Sequence, residues 1–139
     1  MTEKEMKITT PAADPDKERI REKALRIARI LDSKKARDVR ILYVHDQTVI
    51  ADFFVIAHGT SSTQVKALCD EVEFQLSQDG IPCRSVQGRD GTNWIVMDYD
   101  DVIVHVFHES LRNYYNLEKL WADAEKVEFD PDGGKEEEK

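Results

Sequence analysis

The residues best suited to chemistry fall into three groups. Gly59-Thr60-Ser61-Ser62 follows the apolar run Phe53-Phe54-Val55-Ile56-Ala57 and makes a strand–glycine–hydroxyl turn of the kind that opens a helix. Such a turn offers free N–H groups and the positive end of a helix dipole, which together hold phosphate. It has neither the lysine of a P-loop nor the two-glycine spacing of a dinucleotide fingerprint. The same letters spell a capping box, with Ser61 as N-cap and Gln64 three residues on. Asp98, Asp100 and Asp101 form the second group. Carboxylates converging on a divalent ion beside a phosphate-holding turn would serve nucleotidyl transfer. Acids are also favoured in turns for their local hydrogen bonds, and a turn is where these fall.

The third group is His45, His58, His105 and His108. His105 and His108 are three residues apart in a strand-like run, so they point to opposite faces rather than to one metal. No nucleophile, base and orienting acid stand out. The reading is therefore no catalytic residue, no metal and no cofactor. The enzymatic alternative is a nucleotide-binding or nucleotidyltransferase-like domain built on Gly59 to Ser62 with Asp98 and Asp100. It has to bridge 36 residues that include a helix and a strand.

Large side chains offer a different chemistry, that of binding. Trp94 opens one strand, Tyr99 follows it, and Tyr114, Tyr115, Leu117, Leu120 and Trp121 crowd the last predicted helix. Trp and Tyr dominate protein-interface hot spots. Closing a core over a sheet accounts for Tyr114, Leu117 and Leu120. Trp94, Tyr99 and Trp121 divide evenly between core and interface.

The elements that position these residues follow from periodicity. Residues 1–13 are polar and aperiodic, which predicts a disordered tail. Asp14-Pro15 reads as an N-cap with proline in the first helical position. Ile20, Ala24, Ile27, Ala28 and Leu31 then recur at helical spacing over about 16–36. Residues 38–44 and 52–57 predict two strands, the second apolar on both faces and hence central. Val65, Leu68, Val72 and Leu76 make a second helical stripe that stops at Asp79-Gly80. Residues 81–87, 93–98 and 102–107 predict three more strands, the last two joined as a hairpin by Tyr99-Asp100-Asp101. A helix from Ser110 to about 124 completes the order αββαβββα. This is one α/β domain over 14–125, a mixed sheet flanked by helices. Residues 126–139 read as a disordered acidic tail.

Composition narrows the partner. The 139 residues carry 28 acids against 20 bases, a net charge of −8. Residues 1–40 hold 12 bases and 8 acids, whereas residues 41–124 hold 5 bases and 13 acids. An acidic body is repelled by nucleic acid and steered toward basic protein surfaces. Cys69 and Cys83 are too few for a disulfide framework and fit a reducing compartment. No run approaches a membrane span and no secretory signal is evident, so a cytoplasmic protein is expected.

Three segments together resemble one family. They are Asp52-Phe53-Phe54-Val55-Ile56-Ala57-His58-Gly59-Thr60-Ser61-Ser62, then Trp94-Ile95-Val96-Met97-Asp98-Tyr99-Asp100-Asp101-Val102-Ile103-Val104-His105-Val106-Phe107, then Arg112-Asn113-Tyr114-Tyr115-Asn116-Leu117-Glu118-Lys119-Leu120-Trp121. In this order and spacing, over about residues 20–124, they are similar to the ribosomal silencing factors, the Iojap-like family. The resemblance implies a nucleotidyltransferase-like fold without its active-site residues. It also implies binding to ribosomal protein fourteen on the intersubunit face of the large subunit. That would block joining of the small subunit and repress translation when nutrients are scarce. Organellar relatives assist large-subunit assembly, and dimers occur in the family. Trp94, Asp98, Tyr99, His105 and Trp121 are the residues expected to form the ribosomal-protein-binding face. Two departures stand out: Gln87 where the family usually has Glu, and Asp100 where it usually has Gly.

Overall fold

The computed structural model describes residues 15–45, 51–88, 93–111 and 124–129. The Asp14 cap, the last helix with Trp121, and the tails up to 13 and beyond 129 lie outside the described residues. The described elements are helix α1 (Pro15–Ser33), strands β1 (Arg37–Tyr43) and β2 (Phe53–Gly59), and helix α2 (Ser62–Gln78). Strands β3 (Ser85–Gln87), β4 (Trp94–Asp98) and β5 (Val102–His108), a 3-10 turn (Glu109–Leu111) and strand β6 (Glu125–Val127) follow. The sheet is mixed and six-stranded, in the order β3-β4-β5-β2-β1-β6. Only β2 and β5 run parallel among the described pairs, because α2 and the β3–β4 ribbon carry the chain back before β5 begins.

Both helices lie on one face. Their stripes, Ala24, Ile27, Ala28 and Leu31 from α1 and Val65, Leu68, Cys69, Val72 and Leu76 from α2, are buried against Val55, Ala57, Ile95, Met97, Val104 and Val106. Each Val, Leu, Ile or Met among them contributes roughly 1.5–3 kcal/mol by leaving water. Ser61 caps α2 as expected, its Oγ accepting from Gln64 N at 3.0 Å. The Gln64 carboxamide reaches one residue further back than a capping box requires, its Oε1 accepting from Thr60 N at 2.6 Å. At the other end Gly80, at φ +82°, lets Ile81 N donate to Leu76 O at 2.8 Å, which closes the helix.

Two boundaries differ from expectation. The strand expected over 81–87 is regular only from Ser85. The tail expected from 126 onward instead begins inside β6, which pairs antiparallel with β1 through Ile41↔Val127 and Tyr43↔Glu125. Val127 is buried and Phe129 packs on the core, so the domain extends past 125. β1 would otherwise present an open edge, and three residues are enough to cover part of it.

Candidate functional site

The opposite face of the sheet carries the aromatic side chains. Strand pairing arranges them in rows: Trp94, Phe107 and His58; Val96, His105 and Ile56; Asp98, Ile103 and Phe54. Directly opposed residues share a face, so each row is a line of neighbouring side chains. Leu42, Val44, Ile56, Phe107 and Ala124 are buried there, with Phe54, Trp94 and Leu111 packed beside them. Trp94 stacks on Phe107 at 5.1 Å, and the edge of Phe54 meets His105 at 4.9 Å.

His105 is the polar centre of this cluster. Trp94 Nε1–H donates to His105 Nδ1 at 3.3 Å, which makes Nδ1 the acceptor and puts the ring proton on Nε2. Nε2 is buried and has no hydrogen-bond partner among the described residues. With only apolar and aromatic neighbours, burial pushes the imidazole down to about 4. The ring is therefore neutral, a rigid spacer between Trp94 and Phe54.

The expected face residues separate by strand parity. Trp94, Asp98 and His105 are half-buried on the aromatic face. Tyr99 is a correction: it continues the Ile95–Met97 alternation into the helix-covered core, where it is 1 % exposed. Its hydroxyl lies against the Cys83 thiol, and burial raises the pKa of both groups. A ring held there does not reach a partner. Trp121 lies outside the described residues. Phe54, Phe107 and Ile103, absent from the expected set, belong to the face. The signal that finds them is their parity relative to Trp94 once β2, β5 and β4 are placed side by side.

The components of the enzymatic alternative lie at opposite ends of the sheet. Gly59 is level with His108 and Asp98 with Ile103, so five residues of β5, about 17 Å, separate them. Gln64 N and Thr60 N are already occupied by Ser61 Oγ and Gln64 Oε1. The Asp98 carboxylate accepts from Asp100 N at 2.8 Å, and Asp100 pairs with Arg84 at 2.7 Å. These are turn roles. Asp100 sits at φ +71°, a conformation that suits glycine, and the pairing with Arg84 accompanies the acid at this position. Among the described residues no group of three His, Cys, Asp or Glu is placed to hold a metal ion, and no helix is long and apolar enough to cross a membrane.

Comparison with known proteins gives a consistent picture. The family described as "Ribosomal silencing factor during starvation" matches residues 17–139. The chain is 42 % identical over 99 residues to the ribosomal silencing factor RsfS of Bacillus subtilis, covering 71 % of this chain and 84 % of that protein. It is 44 % identical over 100 residues to RsfS of Halalkalibacterium halodurans, covering 72 % and 86 %. A mouse protein named mitochondrial assembly of ribosomal large subunit protein 1 is 29 % identical over 97 residues, 66 % of this chain and 42 % of that one. A crystal structure from Bacillus halodurans superposes with a TM-score of 0.67 at 37 % identity, covering 81 % of this chain and 99 % of that one. One from Chromobacterium violaceum gives 0.68 at 30 % identity, covering 81 % and 90 %. A family match across most of the chain, on the fold its relatives share, makes this protein a member of the ribosomal silencing factor family.

Proposed function

We propose that this protein binds ribosomal protein fourteen on the intersubunit side of the large ribosomal subunit, blocks small-subunit joining by its bulk, and so lowers translation when nutrients are limiting. The observation that carries the reading is the half-buried cluster of Trp94, His105 and Phe54 on the sheet face opposite α1 and α2. Aromatic anchors packed into a rigid sheet lose little freedom on binding. The acidic hairpin at Asp98, Asp100 and Asp101 borders that cluster and suits a basic ribosomal protein. Blocking subunit joining needs an occupied surface and no catalysis. The site of action is then the cytoplasm, where subunits assemble, and a second copy of the chain is the competing occupant of the face.

Sucrose gradients test this directly. Purified protein should co-sediment with large subunits and reduce the fraction of joined ribosomes. Trp94→Ala should weaken co-sedimentation by roughly 2 kcal/mol, about 30-fold. Circular dichroism must show the variant folded. Unchanged co-sedimentation of folded Trp94→Ala would remove the aromatic face from the reading. Light scattering that shows a dimer lost on the same substitution would give the face to a second copy.

A further inference from the structure

We propose that the corner formed by Lys34, Lys35 and Arg37 is a second contact surface, which takes the phosphate backbone of structured RNA beside the protein partner. The inference rests on the ribosomal reading above and adds a partner of different chemistry. All three residues are exposed, and among the described residues none of their side chains enters an ion pair. Asp38, the acid next in sequence, is occupied by Arg40 at 2.9 Å. Residues 29–40 hold five bases and two acids, +3, so the rest of the −8 chain carries −11. This corner is thus a local exception to a body that repels RNA.

The corner is held in place by the fold. Lys35 lies at φ +73°, and Ala36 N donates to Leu31 O at 3.0 Å to end α1. Gln64 Nε2 donates to Lys35 O at 3.2 Å and ties the turn to the start of α2. Arg37 then enters β1 opposite His58, one bulge away from the regular pairing that starts at Arg40↔Ile56. It therefore stands at the end of the row that begins at Trp94 and passes through Phe107 and His58. Three strand spacings, about 14 Å, separate Trp94 from Arg37. Asp98 occupies the diagonally opposite corner, so one face runs from an acidic to a basic end. A ribosomal protein seated on the aromatic and acidic part leaves the basic corner over the RNA that surrounds such a protein. Lys and Arg without aromatic or amide partners contact phosphate and read no sequence.

The test compares wild type, Lys34→Gln/Lys35→Gln/Arg37→Gln and Trp94→Ala in large-subunit pelleting from 50 to 300 mM KCl. The expected result is a log-affinity against log-salt slope shallower by about 2–3 for the triple variant, since each lost phosphate contact removes about 0.7–0.9. Trp94→Ala should lose affinity with its slope unchanged. An unchanged slope in the triple variant overturns the inference and leaves the aromatic reading intact. If wild type does not pellet at all, the ribosomal reading fails, and a fluorescent RNA hairpin decides the corner by itself. Hairpin binding lost in the triple variant supports it, and no binding by wild type overturns it. Binding of labelled oligoglutamate in preference to the hairpin also overturns it and gives the corner to an acidic protein segment.

Discussion

His105 shows how one enclosed imidazole nitrogen sets a pH limit. Its Nδ1 accepts from Trp94, its Nε2 is enclosed without a partner among the described residues, and Val96 and Ile56 flank it across the sheet. None of these neighbours is charged, so among the described residues nothing compensates a proton on the folded-state ring, and burial holds it down to about 4. The unfolded chain binds that proton near 6.5. The stabilisation is therefore fully present above pH 6.5 and is lost as pH falls from 6.5 toward 4, by ~3 kcal/mol in total. Urea unfolding at pH 7.5 and 4.5 should show this drop in wild type and a smaller one in His105→Phe. Equal drops would mean that other groups carry the acid sensitivity. Gly88 is the second residue with an outsized role. It lies at φ +88°, and a Cβ there would come within 2.1 Å of the Trp94 carbonyl oxygen. Since that atom is backbone, Gly88→Ala must displace the start of β4 and should cost about 1–3 kcal/mol. Trp94 fluorescence should shift with it; an unshifted spectrum and unchanged stability would show that the turn yields instead.

The two helices end in the same way with different residues. In α2 the left-handed position is Gly80; in α1 it is Lys35, and both are followed by a bond from the next N–H back into the last turn. A side chain in this conformation costs roughly 1 kcal/mol that glycine avoids. Lys35→Gly should therefore stabilise by about 0.5–1 kcal/mol, and Gly80→Ala should destabilise by a similar amount. Thermal unfolding reads both signs, and two shifts of the same sign would contradict the shared motif. Asp79-Gly80 and Ser61 with Gln64 were legible in the sequence because caps act over three or four residues. Strand identity was legible for the same reason, with apolar runs and turn residues alternating along the chain. β6 was not, since one buried valine in three residues has no period and its burial comes from β1, over 80 positions earlier. Tyr99 was misassigned by residue type, although five positions from Trp94 along one strand direction already place the two rings on opposite faces. Phe54 joins the face only after β2 and β5 run parallel, whereas Phe107 lies opposite Trp94 in the β4–β5 hairpin, a relation that follows from the hairpin alone.

Charge acts at the scale of the whole molecule. The net −8 conceals a face with Asp98 at one corner and Arg37 at the other, roughly 20 Å apart by strand spacing and rise. Such polarity orients an approaching protein before any aromatic contact forms, so it governs encounter more than residence. Asp98→Asn isolates this effect. The amide keeps an Oδ1 that can accept from Asp100 N, so the hairpin is preserved while one charge is removed. A unit charge about 8 Å from a basic partner contributes about 0.5 kcal/mol in water, roughly twofold in rate. Stopped-flow binding to large subunits should show the association rate falling about twofold at low salt and the difference vanishing when the Debye length shrinks to about 3 Å at 1 M. The dissociation rate should stay at its wild-type value, because the aromatic contacts that set it are untouched. A faster dissociation with unchanged association would instead make Asp98 a buried contact of the complex, and the acidic corner would then be part of the interface core and not its guide.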